Sequence, residues 1–256
     1  MKHHDLDIRM KERESFRTLR LLPGAWTVVR VDGRAFSQFT APRFAKPFDA
    51  HLRDRMIATA SALLQELHGI YTYTQSDEIS VLFPPQWQLF DRRLEKIVSI
   101  SASLASATFT QAGGEPVQFD SRVWLGTTEQ DVIDYFRWRQ LDATRCALHG
   151  WCYWTLRQQG DSAPQAAQRL NGKGAAFMNE LLFQAGINFN DLPAWQRRGI
   201  GLYWETYPKA GFNPHRQEAV TTTRRRLKVK LDLPMPVAYA DFLRQRWSAS
   251  AVPAAQ

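Results

Sequence analysis

Tyr71-Thr72-Tyr73-Thr74-Gln75-Ser76-Asp77-Glu78-Ile79-Ser80-Val81-Leu82-Phe83 holds two β-prone arms around a polar tip at Ser76-Asp77-Glu78. An antiparallel hairpin over 70–83 follows, and Pro84-Pro85 stops its second arm because proline has no N–H for a ladder. Upstream, Trp26-Thr27-Val28-Val29-Arg30-Val31 reads as a largely buried strand ended by Asp32-Gly33. Set beside the hairpin in one sheet, this strand brings Asp32 and Asp77 together. Mg²⁺ takes one or two carboxylates plus phosphate oxygens. A two-metal clamp stabilises the attacking and the leaving oxygens of phosphoryl transfer. The pair therefore points to nucleotidyl transfer, with Glu78 as a supporting acid. The alternative reading is that Asp-Gly and Ser-Asp are ordinary turn residues.

Working outward, residues 5–20 read as a charged helix. A second helix covers Ala50–Leu67, with Leu52, Met56, Ala60, Leu63, Leu64 and Leu67 at helical spacing and Gly69 as its C-cap. Asp91 is the expected N-cap of a helix to about Thr110 that ends at Gly113-Gly114. Residues 119–124 form a further strand. The order β-α-β-β-α-β implies an α+β fold with a ferredoxin-like (split βαβ) antiparallel sheet. From Glu129 the chain turns helical, with helices over 129–158 and 163–185 and a loop over 188–193. Thr221–Leu233 alternates Leu227, Val229, Leu231 and Leu233 with Lys228, Lys230 and Asp232, a strand with one apolar and one mainly basic face. The expected division is 5–128 and a mainly helical region 129–245 packed on it.

Composition narrows the classes. The chain has 256 residues, 44% hydrophobic, a net charge of +8 and a pI near 9.7. That balance favours an anionic partner, a nucleic acid or a triphosphate. No apolar run approaches the roughly 18 residues that span a bilayer, and the N-terminus carries no apolar signal segment. The expected location is cytoplasmic, without a membrane partner. Only Cys146 and Cys152 are present, too few for a disulfide framework or a zinc site of the usual kind.

Other residues extend the candidate site. The Gly33 carbonyl can approach a metal, and the amides of 33–37 can cradle phosphate oxygens. Arg92, Arg93 and Lys96 fall in the first turns of the helix expected after Asp91. Cations there oppose the helix dipole by about 0.3–1 kcal/mol each, and a bound phosphate reverses that sign. A solvated basic face is the alternative. Lys46 is a second phosphate candidate. Arg224, Arg225, Arg226 and Lys228, with Lys230, read as a phosphate-contacting stripe for RNA or as a lysine-protected edge strand. Trp138, Trp151, Trp154 and Trp195 read as base-stacking residues or as core. Asn171-Gly172-Lys173-Gly174 fails the P-loop pattern.

Seven stretches, in order, carry a resemblance: VDGRAFSQF (31–39), FAKPFD (44–49), QSDEISVLF (75–83), FDRRLEKIVSISAS (90–103), FDSRVW (119–124), DYFRWRQ (134–140) and MNELLFQAGINFNDLPAWQRRG (178–199). In these the sequence resembles the tRNA-His guanylyltransferase family. The resemblance implies a palm-type catalytic domain over 5–128 and 3′-to-5′ nucleotide addition to tRNA. A 5′-monophosphate is first activated by ATP, and the 3′-hydroxyl of an incoming nucleotide, commonly GTP, then attacks it. It implies Asp32, Gly33 and Asp77 as ligands of two Mg²⁺ ions. Asp32, Gly33, Arg34, Ala35, Phe36 and Ser37, with Ser76 and Asp77, would hold the nucleotide. Lys46, Arg92, Arg93 and Lys96 would contact triphosphate. Arg139 and Asn179 become tRNA-contact candidates, and a homotetramer is expected.

The pattern departs from the family in one place. Eukaryotic members carry His-Ile-Asn-Asn after Trp-Arg-Gln, associated with reading the tRNA-His anticodon; here those positions are Thr144, Arg145, Cys146 and Ala147. The lysine usual before Asn-Glu-Leu-Leu-Phe is Met178. The sequence is therefore most similar to the guanylyltransferase-like branch, which repairs tRNA 5′ ends on the opposite strand as template. Strict addition of one G to tRNA-His is the alternative, and a palm-type nucleotide cyclase the alternative of another class.

Overall fold

The structure is a computed structural model that describes residues 3–213 and 217–250. Its centre is strand β1 (Trp26–Gly33), buried on both faces: Val29 and Val31 point one way, Val28 the other. β1 pairs antiparallel with β3 (Glu78–Phe83) on one side and β4 (Phe119–Gly126) on the other. β2 (Tyr71–Gln75) lies on the far side of β3, followed by β5 (Ile200–Asn213) and β6 (Glu218–Lys230). The six-stranded antiparallel sheet runs β4-β1-β3-β2-β5-β6.

Helices α3 (Ala50–Glu66) and α4 (Leu94–Gly113) cover one face, packing Met56, Leu63, Ile97 and Phe109 onto Val29, Val31, Ile79 and Val81. The other face meets α5 (Glu129–Gln158) and α9 (Pro236–Ser250), with Val132, Phe136, Tyr239 and Leu243 against Val28, Tyr71, Tyr73 and Leu82. The far half of α5 forms a third core with α6 (Ala163–Leu170) and α7 (Ala175–Gln184). α1 (His3–Glu12), α2 (Phe36–Thr40) and α8 (Ala194–Arg198) complete the described helices. Three starts are strongly capped: Asp49 accepts from the amides of His51 and Leu52, and Thr128 with Asp131 and Ser162 with Gln165 form reciprocal capping boxes. No helix among the described residues is long and apolar enough to cross a membrane.

Several expectations are corrected. The first helix ends at Glu12 rather than reaching 20, and residues 19–22 instead run beside 92–94, with an Arg20–Arg93 bridge. The expected helix over 163–185 breaks at Asn171-Gly172-Lys173-Gly174. The left-handed residue after α3 is His68 (φ 59), not Gly69. Strand β5 and helix α9 were not expected. β5 pairs with β2 only over Ile200–Tyr203, then continues with β6 as a ribbon from Gly201↔Lys230 to Asn213↔Glu218.

The largest correction concerns Asp91 and Arg92. Phe90, Asp91 and Arg92 all have positive φ, so the chain makes a left-handed turn before the helix, and α4 starts at Leu94 with Arg93 at its N-cap position. Arg92 is 2% exposed. Its guanidinium donates to the carbonyls of Leu22 (2.6 Å) and Trp87 (2.8 Å) and to Thr27 Oγ1 (3.2 Å). It ties the 19–25 segment to the start of α4, and its buried guanidinium faces these carbonyls rather than the cavities at the hairpin tip. Each carbonyl stranded without its donor costs about 1–3 kcal/mol. Arg92→Ala should therefore lower unfolding free energy by about 3 kcal/mol in urea melts, whereas Lys96→Ala on the exposed first turn of α4 should stay within about 0.5 kcal/mol. An Arg92→Ala variant as stable as wild type would contradict this structural role.

Candidate active site

β2 and β3 are joined by the two-residue loop Ser76-Asp77, with Gln75 opposite Glu78. Glu78 is thus the first residue of β3 rather than part of the tip, and it lies opposite Asp32 on β1. Ser76 adopts φ 54, a left-handed conformation that costs an L-residue about 1–2 kcal/mol. The Gly33 N–H donates to the Asp77 carbonyl (3.2 Å), fastening the tip to the end of β1. Gly33 is required there because an added Cβ would lie 2.2 Å from the ring of Phe36, itself buried against Phe39, Phe109 and Phe119.

The site concentrates unfavourable charge. Burial raises the pKa of Asp77, and the Asp32 carboxylate raises it further; a hydrogen bond from Ser76 and the charge of Lys46 only partly offset this. Burial also raises Glu78, against the opposing pull of Arg139 and Arg30. Arg139 Nε donates to Glu78 (2.8 Å), and an Arg30 nitrogen lies 3.9 Å from the same carboxylate. Burial lowers the Lys46 pKa although Asp49 and Asp77 favour its charge, and its Nζ donates to Thr40 Oγ1 (2.7 Å).

Two cavities meet at the hairpin tip and share Gln75, Ser76 and Asp77. The first, about 270 Å³, is lined by Ser37, Thr40, Lys46, Asp49, Phe48 and Trp195 among others. The second, about 200 Å³, opens towards α5 and holds Asp32, Glu78, Arg139, Asp142 and Cys146. Among the described residues no group of three or more His, Cys, Asp or Glu is arranged to hold a metal. Two partly desolvated carboxylates in Coulomb contact do fit a hard cation that takes its remaining oxygens from phosphate.

The structure thus brings together Asp32, Gly33, Ser37, Lys46, Ser76, Asp77 and Glu78. It divides the 33–37 amides: those of Gly33 and Arg34 already donate to Asp77 and Gln118 carbonyls, leaving 35–37 at the start of α2. Arg34 is exposed and bonds the Gln118 side chain, and Ala35 is left-handed (φ 56). Arg93 is half-buried with Asp91 at 3.7 Å, Lys96 is exposed, and neither lines the two cavities. Arg139, expected as a tRNA contact, lines the second cavity with a side chain 11% exposed that pairs with Glu78 and Asp142. Asn179 is exposed and lines a third cavity with Thr144. On the ribbon, Arg224 is exposed, Arg225 lies over Trp204, and Arg226 and Lys228 both bind Glu205. Sequence reasoning assigned no role to Thr40, Phe48 or Asp49, although Phe48 and Asp49 end the FAKPFD stretch and Asp49 stands at a cap position.

A family model for tRNAHis guanylyltransferase matches residues 7–136, and one for the C-terminal domain of that family matches 130–241. The tRNA(His) guanylyltransferase of Neurospora crassa is 37% identical over 198 residues, 72% of this chain and 68% of that protein. The "Probable tRNA(His) guanylyltransferase" of Dictyostelium discoideum is 32% identical over 223 residues, 82% of this chain and 86% of that protein. A solved bacterial tRNA(His) guanylyltransferase-like protein in complex with GTP superposes with a TM-score of 0.73 at 30% identity, covering 94% of this chain and 98% of that one. A solved bacterial tRNA(His) guanylyltransferase-like protein in complex with ATP superposes with a TM-score of 0.75 at 28% identity, with the same coverage.

The charge arrangement makes a prediction about pH. Because the folded pKa of Asp77 lies above that of an unfolded carboxyl, the native state keeps a proton that the unfolded chain releases. Native stability therefore falls as pH rises from the unfolded value through the folded one. Asp77→Asn removes this penalty. Without divalent cations it should melt above wild type near pH 7.5, and the gap should close towards about pH 4, where both carboxyl forms become protonated. Identical pH profiles for the two proteins would contradict the arrangement.

Proposed function

The chain belongs to the tRNA-His guanylyltransferase family, whose members are nucleotidyltransferases, and we propose that it extends tRNA 5′ ends in the 3′-to-5′ direction, directed by the opposite strand. The observation that carries templated repair concerns residues 144–147. The Thr144 hydroxyl is 2.9 Å from the Gln140 carbonyl and 2.8 Å from that of Arg197. Arg145 pairs with Asp142, and Ala147 is 2% exposed. These positions offer no amide or imidazole edge to an anticodon base. Addition of a single G to tRNA-His is the second reading, favoured by the names of the relatives.

The β4-β1-β3-β2 order with α3 and α4 on one face supports a palm-type reading of the catalytic domain. The GTP and ATP of the bacterial structures support both nucleotides as ligands here. Asp32, Asp77 and the Gly33 carbonyl would hold two Mg²⁺ ions, which supply positive charge against the entering and leaving oxygens. Lys46, beside Asp77 in the first cavity, adds a partly desolvated cation for the triphosphate. Ser76 and the amides of 35–37 orient phosphate oxygens, and Phe48 and Trp195 give an apolar wall for a base. Glu78, gripped by two arginines, is a fixed charge behind the pair. In activation, an oxygen of the RNA 5′-phosphate attacks the α-phosphorus of ATP and pyrophosphate leaves. The 3′-hydroxyl of the incoming nucleotide then attacks the activated 5′-phosphorus, losing its proton as AMP leaves. Arg224 on the exposed ribbon and Asn179 are tRNA contacts in this reading. A tetramer that shares tRNA between subunits belongs to it too.

The test offers 5′-truncated, 5′-phosphorylated tRNAs with several anticodons to the enzyme with Mg²⁺, ATP and all four NTPs, and sequences the products. Addition should follow Watson–Crick complementarity, stop at the completed acceptor stem and ignore the anticodon. Asp32→Ala and Asp77→Ala should fold and add nothing. Addition of G alone to tRNA-His alone would favour the second reading, and full activity in either variant would remove the assignment.

A further inference from the structure

Trp138 on α5 is the one tryptophan of nine that stands exposed, at 52%. Large aromatic side chains are ordinarily well covered. This one is exposed and yet rigidly braced. The guanidinium carbon of Arg139 lies 4.4 Å from its ring centroid, that of Arg30 lies 5.7 Å away, and Tyr135 meets it edge-on at 5.8 Å. Two of these braces are hydrogen-bonded in turn: Arg139 to Glu78 (2.8 Å) and Asp142 (2.9 Å), and the Tyr135 hydroxyl to Ser80 (3.0 Å), while Arg30 lies 3.9 Å from Glu78. The indole therefore keeps its orientation without a ligand, so a planar partner meets a surface whose freedom was lost on folding.

Its position supplies the chemistry of that partner. Arg30 and Asp32 are two residues apart on β1 and share a face, a separation of about 7 Å. Glu78, which grips both arginines, lies opposite Asp32. On the other side, β4 sets Arg122 beside Arg30 and Asp120 beside Asp32. Trp138 is thus held, through Arg30 and Arg139, over the sheet face that carries Asp32 and Glu78, and the half-exposed Arg122 lies beside Arg30 on that face. Stacking on an aromatic ring tolerates any base, because every base has a π-face. That tolerance suits an enzyme whose substrate ends in different nucleotides.

We propose that Trp138 is a stacking platform for the nucleobase at the 5′ end of the acceptor strand. The inference rests on the RNA-end reading given above, and it assigns the residue a binding role. The competing account is that Trp138 only shields the two arginines from water.

The test uses a 5′-truncated tRNA carrying 2-aminopurine at its 5′-terminal position and a second fluorophore in the anticodon loop. Stacking quenches 2-aminopurine, whereas shielding of arginines does not. The 2-aminopurine signal should fall when wild type or Trp138→Phe binds. It should stay at the free-tRNA level with saturating Trp138→Ala, while anticodon-loop anisotropy still reports binding. Trp138→Ala should also raise the KM for truncated tRNA roughly tenfold, in line with the loss of one stacked base, without changing the KM for the nucleotide. Binding by wild type without quenching, or equal quenching by Trp138→Ala, overturns the platform alone. No tRNA binding by wild type overturns the RNA-end reading and the platform with it.

Discussion

Two carboxylates, Asp32 and Asp77, lie close together where both are partly removed from water, and the rest of the structure has to hold them there. Asp77 is raised in pKa by burial and then by the charge of Asp32. Left to themselves, two such groups would separate or protonate. The backbone prevents the separation, because Asp32 sits at the end of a strand paired on both sides and Asp77 sits in a loop of only two residues. The Gly33 amide then joins the two backbones. A strand with Val28, Val29 and Val31 all buried cannot slip by one residue without exposing them. The register that buries the core is the register that aligns the acids.

Charge compensation is distributed around this pair rather than placed upon it. Glu78 takes both arginines, so neither guanidinium neutralises Asp32 or Asp77 directly. Lys46 is the cation whose charge offsets part of the rise at Asp77, and it is itself partly desolvated. Helix α5 contributes to three tasks along one rod: its first half packs on the sheet, Arg139 and Asp142 brace the site, and its last turns carry the third core. The net result is a site whose lining carries more carboxylates (Asp32, Asp49, Asp77, Glu78 and Asp142) than cations (Lys46, Arg53 and Arg139), an electrostatic setting that favours a bound cation.

What could be read in the sequence follows from where the signal is local. The strands 26–31 and 70–83 and the helix 129–158 were legible because apolar spacing and turn residues agree there. β5 was hidden: Gly201, Pro208 and Gly211 interrupt its alternation, and Pro208 is tolerated only because its open edge has left β2 behind. α9 did carry signals, a proline at its start and Tyr239, Leu243 and Trp247 at i, i+4 and i+8, but they come late in a basic, loop-like stretch. In the candidate site, the acidic residues were legible because they end strands. The fates of Arg92 and Arg139 were not, since a guanidinium buried on carbonyls or on a carboxylate has the same letter as one in solvent. The left-handed turn at 90–92 likewise has no glycine to announce it.

The central claim is that Asp32 and Asp77 act as one unit in holding the Mg²⁺ ions, with a nucleotide completing the coordination. Mn²⁺ standing in for Mg²⁺ can be followed by electron paramagnetic resonance, with saturating GTP present. Wild type should immobilise Mn²⁺, and Asp32→Asn and Asp77→Asn should each release it, with the double variant no worse than the worse single one because the two ligands share a site. Wild-type Mn²⁺ binding in both single variants would contradict the claim and place the cation elsewhere.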